Sequence, residues 1–241
     1  MRLDGVEIKV SLGRPQVARA LDALGLGENG ERRNIAFLED NTVGMALPLF
    51  HQGIVLRVRQ IDGERGDSTV KLRPCRRSQL TESWLSEDEG DGWKLRVEED
   101  WAGSRRVLAA SCVADLPAGR IGSVRAGKES MRRLFNEGQE RFLSDCAGMQ
   151  INLDALTLLP PITALRWDKV RVQRLQDVVA ERWTVDDLDF LELSIRRDTV
   201  EEALPAQEAL ERGIQELNLE RDDQNKSKTE LVLAHLAGLA P

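Results

Sequence analysis

The stretches GIVLRVRQ at 53–60 and STVKLRP at 68–74 decide how this chain is read. Each alternates apolar residues with cations: Leu56 and Val58 against Arg57 and Arg59, then Val70 and Leu72 against Lys71 and Arg73. Successive side chains of a strand point to opposite faces, so all four cations can share one face. The turn-rich spacer at 62–67 predicts a hairpin. Four cations on one hairpin face repel one another unless water or a strong anion compensates them.

The rest of the composition sharpens that observation. The chain has 241 residues and a formal charge of −7, with 41% hydrophobic and 31% charged residues. That length and composition suit one large folded domain, or one with helical additions. An acidic chain has no overall basic field for a nucleic-acid duplex or an anionic membrane, so an anion site here must be local and enclosed. Cys75, Cys112 and Cys146 are odd in number and lack zinc-type spacing, which predicts reduced structural thiols and a cytoplasmic setting. His51 and His235 are the only histidines, which argues against histidine-based metal or triad chemistry. A strand pattern begins at once after Met1, leaving no room for a signal peptide, and no apolar run has membrane-spanning length.

Along the chain, strands are predicted at 5–12, 33–40, 93–101, 104–114, 163–170, 178–185 and 190–196, besides the hairpin. A helix is predicted after Pro15, an exposed polar loop at 76–92, and a helical insertion at about 117–148 with a break near Gly138. Asp198 and Glu201 have capping spacing for a further helix, with a kink or restart at Pro205. A short amphipathic helix closes the chain at 227–239. The expected organisation is a strand-rich domain at 1–197 with C-terminal helices at 198–241 packed on it.

One rule recurs through the strands: apolar residues on one face, Arg, Lys, Glu and Asp on the other. In the strand at 93–101, Lys94, Arg96, Glu98 and Asp100 share a face; in that at 190–196, Glu192, Ser194 and Arg196 do. Two architectures fit: an antiparallel sheet with one solvated face, or a barrel with a charged lumen and helices outside. In such a lumen cations would clamp phosphates through charge-assisted hydrogen bonds. Carboxylates would hold Mg²⁺ or Mn²⁺, hard ions that prefer oxygen ligands and bridge to phosphates.

The ordered set EIK at 7–9, LRVR at 56–59, VKLRP at 70–74, VEED at 97–100, LRW at 165–167 and LELS at 191–194 resembles the CYTH superfamily, the triphosphate tunnel metalloenzymes. The likeness runs from about Val6 to Arg196. It implies an α+β fold: an eight-stranded antiparallel β-barrel tunnel with a charged lumen and helices packed outside. It implies a divalent-metal-dependent hydrolase of inorganic, nucleoside or thiamine triphosphate. The alternatives are a catalytically weak polyphosphate- or nucleotide-binding module and an adenylate cyclase of the class IV type. Carried over by position, Lys9, Arg57, Arg59, Lys71, Arg73 and Arg166 are implied phosphate ligands, with Lys226 or Lys228 as a late cation. Glu7, Glu98, Asp100 and Glu192 are implied ligands for Mg²⁺ or Mn²⁺, with Glu98 and Asp100 as catalytic groups. The implied partner is a triphosphate-containing small molecule or polyphosphate, with no membrane and no nucleic-acid duplex. The family's first strand carries E-x-E-x-K, and this chain has Gly5 at the first glutamate position.

Overall fold

A computed structural model describes residues 3–40, 46–61, 65–222 and 227–238. In chain order the elements are β1 (Val6–Leu12), α1 (Arg14–Ala23), β2 (Glu31–Glu39), α2 (Pro48–His51), β3 (Ile54–Ile61) and β4 (Gly66–Leu72). Then follow α3 (Glu82–Ser86), β5 (Glu89–Gly90), β6 (Trp93–Ala102), β7 (Arg105–Leu116), α4 (Arg120–Arg125) and α5 (Glu137–Cys146). The chain continues through β8 (Thr157–Leu158), β9 (Ile162–Val172), β10 (Leu175–Val185), β11 (Leu188–Arg197), α6 (Val200–Glu216) and α7 (Lys228–Leu236).

The opening hairpin forms as its alternation predicts, β3 and β4 pairing antiparallel from Ile54↔Leu72 to Gln60↔Gly66. The expected eight-stranded antiparallel barrel is corrected. The described strands form one eleven-stranded mixed sheet in the order β1-β11-β10-β9-β2-β3-β4-β7-β6-β5, with β8 paired to β2. It is mixed because β1 has two partners: β11 antiparallel, with Glu7↔Arg196 and Ser11↔Glu192, and β6 parallel, with Val6↔Glu99 and Glu7↔Asp100. Asp4 extends the parallel contact, its N–H donating to Val97 O at 2.7 Å and its Oδ2 accepting from Val97 N at 2.8 Å. These pairings bring the charged residues of β1 beside those of both β6 and β11.

Helices cover the apolar face of the sheet. α6 turns Ala203, Ala206, Leu210, Gly213 and Ile214 inward, a stripe at helical spacing, and packs on β1 and β11. A Cβ at Gly213 would lie 2.8 Å from Val172 Cγ1, so glycine lets α6 approach β9 closely. Thr199, not Asp198, caps this helix, its side chain accepting from Glu202 N, and the helix runs through Pro205 without a restart. α5 is capped by Asn136 and includes Gly138, so the break in the inserted segment lies before the glycine. α7 differs: with Leu231, Val232 and Leu233 it packs on Ile35, Phe37 and Trp183. Those three alternate in phase with Arg33 and Glu181, so α7 closes an apolar end of the charged face.

The polar segment expected to be an exposed loop at 76–92 contains α3, whose Trp84 is fully buried. It lies 5.1 Å from both Trp93 and Phe142 by ring centroids and donates through Nε1 to Asp145. One aromatic anchor outweighs a run of charged neighbours, because a buried indole contributes more apolar area than they cost at the surface. The three cysteines are buried and unpaired. Burial pushes the thiols of Cys75, Cys112 and Cys146 up to about 11, 12 and 12, which suits the structural role expected of them. No described helix is long and apolar enough to cross a membrane.

Gln139 locks α5 to the sheet. Fully buried, it donates to Ser68 O at 2.9 Å and Cys112 O at 3.1 Å and accepts from Ser68 Oγ at 2.9 Å. Replacing it with leucine strips partners from buried groups on both β4 and β7. Gln139→Leu is expected to cost about 2–4 kcal/mol in urea denaturation.

Candidate functional site

A cavity of about 620 Å³ opens on the charged face of the sheet. Its wall takes Glu7 and Lys9 from β1, Arg57 and Arg59 from β3, Lys71 from β4 and Glu98 from β6. Arg73 follows β4, Arg166 comes from β9, Glu192 from β11 and Lys228 from the start of α7. Every implied site residue except Asp100 and Lys226 therefore lines one cavity; Lys226 lies outside the described residues.

Asp100 sits beneath the cations, its side chain 1% exposed. Lys9 Nζ donates to its Oδ1 at 3.0 Å and Lys71 Nζ to its Oδ2 at 3.2 Å, while Arg73 Nε lies 2.9 Å from Oδ2. Burial alone would raise the Asp100 pKa; Lys9, Lys71 and Arg73 together hold it well below the carboxylate range. Lys9 also pairs with Glu7 at 2.8 Å. Its pKa is raised: burial opposes its charge, but Asp100, Glu7 and Glu192 overcome burial. Glu7 is held below its ordinary value, Lys9 and Lys71 outweighing burial and Asp100. Glu98 goes the other way, raised by burial and by Glu7 against the pull of Arg196, whose Nη2 lies 2.5 Å from Glu98 Oε2.

Glu7, Glu98 and Asp100 each offer an oxygen within 4.8 Å of the others. Three hard oxygen donors at that spacing could hold a divalent cation. Glu192 does not join them. It faces Glu181 across the β10–β11 ladder, and Lys228 bridges the two at 2.9 Å and 2.7 Å while lying 4.2 Å from the Trp183 ring centre. Burial opposes the charge of both members of the Lys228–Glu181 pair, yet each stabilises the other: Lys228 is raised and Glu181 lowered.

The remaining cations are placed less tightly. Arg59 is held by Asp67, with Nη2–Oδ2 at 2.7 Å, and Arg166 by Asp168 at 2.7 Å. Arg57 donates to Thr69 Oγ1 at 3.2 Å. Burial and the neighbouring Arg59 lower its pKa to about 10, so it remains a cation at neutral pH. The Nε atoms of Arg57 and Arg166 are buried without a hydrogen-bond partner.

Sequence reasoning missed Arg33, Glu181 and Trp183 as wall residues, and it placed Arg196 on the charged face without giving it a role. Their period-two spacing was visible: Arg33 in phase with Phe37, Glu181 between Val179 and Trp183, and Arg196 two residues beyond Ser194. Asp4 makes no fourth carboxylate, being occupied by the Val97 backbone. Gly5 has φ +136°, and a Cβ there would lie 2.7 Å from Arg197 O and 3.8 Å from Arg196 Cγ. A glutamate cannot be accommodated at position 5 without strain.

No family model matches the chain, and no curated protein matches it. Solved structures do. A proposed adenylate cyclase from Bacillus halodurans is 11% identical, with 94% of this chain and 96% of that one covered and a TM-score of 0.59. A proposed adenylyl cyclase from Hippeastrum, described as having a dominant triphosphatase activity, is 14% identical, with 98% and 97% covered and a TM-score of 0.59. A Pyrococcus horikoshii protein is 13% identical, with 95% and 99% covered and a TM-score of 0.50. At these identities the likeness shows a shared fold.

Two outcomes follow from this geometry. Gly5→Glu is expected to lose about 1–3 kcal/mol of stability by thermal or urea denaturation, without tighter Mn²⁺ binding. Glu181, lowered from an ordinary 4.5, stabilises the fold fully above that pH and loses its contribution as pH falls through the lower folded-state value. Glu181→Gln should lower stability at pH 7 and flatten the acid limb of the stability–pH curve. A curve parallel to that of the unaltered protein would contradict the pairing with Lys228.

Proposed function

We propose that this chain is a divalent-metal-dependent hydrolase of a triphosphate-containing substrate, related to the CYTH superfamily. The observation that carries the reading is one cavity walled by Lys9, Arg57, Arg59, Lys71, Arg73, Arg166 and Lys228, beside the oxygen trio of Glu7, Glu98 and Asp100. An acidic protein that gathers so many cations in one cavity has a place for a polyanion, since charge-assisted hydrogen bonds to phosphate oxygens would replace their present carboxylate partners. The fold shared with a protein described as a triphosphatase supports the same reading.

Phosphoryl transfer needs chiefly positioning and charge neutralisation. Lys9, Lys71 and Arg73 would move from Asp100 to phosphate oxygens, and Arg57, Arg59 and Arg166 would hold the remainder of the chain. Glu7, Glu98 and Asp100 would hold Mg²⁺ or Mn²⁺, which supplies Lewis-acid polarisation of the phosphoryl group and a more acidic bound water. Glu98, a carboxylate of the same wall, would accept a proton from the attacking water. Residues 1–197 would form the working unit, completed by 198–241 because Lys228 belongs to the cavity wall.

One observation favours the second reading, binding without turnover: Asp100 and Glu98 are already engaged by Lys9, Lys71, Arg73 and Arg196. A cyclase would need groups that read a base, and we assign none.

Phosphate release from tripolyphosphate, ATP and thiamine triphosphate, with Mg²⁺ or Mn²⁺, tests the hydrolase. Release is expected for at least one substrate, abolished by EDTA and reduced about 100-fold or more in Arg57→Ala and Glu98→Ala. Release no faster than in those variants would sink the hydrolase. Tight tripolyphosphate binding in calorimetry would then leave the binding module standing.

A further inference from the structure

We infer that Arg196 is a built-in cation that engages Glu98 of the carboxylate trio until an anionic substrate draws it away, making the metal site conditional on the substrate. The inference rests on the triphosphate reading of this cavity. Arg196 lies directly across the β1–β11 ladder from Glu7. Its Cγ would lie in ordinary contact, 3.8 Å, with a Cβ built on Gly5. Its guanidinium reaches Glu98 at 2.5 Å.

This pairing sets the local electrostatics. The chain has no carboxylate at position 5, and beside that position a positive charge pairs with Glu98. Glu7, Glu98 and Asp100 then face Lys9, Lys71, Arg73 and Arg196, three carboxylates against four cations. A divalent ion approaching alone meets carboxylate oxygens already paired and a surplus of positive charge. Asp100 is locked most firmly, with contacts to both oxygens and a side chain 1% exposed.

An anion changes this balance. The wall already contains Arg57 and Arg166, whose buried Nε atoms lack partners, so a polyanion in the cavity has fixed attachment points. Once there, it competes with Glu98 for Arg196, whose side chain is 38% exposed and can swing without disturbing the core. Glu98 is thereby released to a metal ion. By linkage, the metal strengthens the hold on the anion as much as the anion strengthens the hold on the metal.

Arg196→Gln and Arg196→Lys test the assignment on the whole chain. Binding of Mn²⁺ alone is read from the free-ion electron paramagnetic resonance signal, and binding of tripolyphosphate in EDTA by calorimetry. Arg196→Gln is expected to bind Mn²⁺ roughly tenfold more tightly than the unaltered protein. It should bind tripolyphosphate several-fold more weakly, while Arg196→Lys stays close to the unaltered protein in both. Adding Glu98→Gln to Arg196→Gln should erase the gain in Mn²⁺ affinity. Unchanged or weaker Mn²⁺ binding by Arg196→Gln, or a gain that survives Glu98→Gln, overturns the inference while leaving the triphosphate reading intact. Failure of the unaltered protein to bind tripolyphosphate at all removes the reading on which it rests.

Discussion

The contact on which this structure depends is the burial of Asp100 beneath Lys9, Lys71 and Arg73. Removing those charges from bulk water is costly, and only close mutual pairing offsets the cost. The three cations come from β1, β4 and the residue after β4, while Asp100 comes from β6, so the cluster joins strands far apart in sequence. Its geometry requires β1 to lie beside β6, which is the parallel pairing that makes the sheet mixed. Charge compensation and sheet topology are thus one constraint.

The cavity wall separates into two differently balanced regions. Around Glu7, Glu98 and Asp100, positive charge is in excess and the oxygen donors are clustered. Around Glu181 and Glu192, two carboxylates share one ammonium supplied by α7, and Arg33 lies 3.9 Å from Glu181. The apolar residues Ile35, Phe37 and Trp183 beneath α7 close that side and keep Lys228 in a weakly solvated setting. A low-dielectric wall strengthens both arrangements, so each polar group there gains from a partner and loses heavily without one.

The charged face was legible in the sequence because strand alternation is a local signal. Arg57 and Arg59, or Glu98 and Asp100, declare their common side from spacing alone. Strand pairing is not local. That β1 would meet β6 in parallel depends on contacts some ninety residues apart, and Val6 carries no mark of its partner Glu99. Hence spacing marks which residues share the face that lines the cavity, while it does not mark the strand count or the sheet type. The same limit explains Glu192: spacing placed it on the correct face, but only the register opposite Glu181 shows that it serves Lys228 and not the trio. Trp84 was hidden for another reason, since its charged neighbours in 76–92 masked one buried anchor.

Gly5 shows most clearly how structure changes the meaning of a residue. In the sequence it is an absence, a carboxylate missing from a familiar pattern. In the fold it is a backbone requirement, with φ +136° and Arg197 O too near for any side chain. Beside it Arg196 pairs with Glu98, and the local balance moves toward positive charge. A site poor in carboxylates and rich in cations favours the polyanion over the lone metal ion, because each phosphate oxygen gained relieves repulsion that a metal would increase. On the inference drawn for Arg196, the absence of a glutamate at position 5 would do more than weaken a metal site: it would make anion capture the step on which metal binding depends.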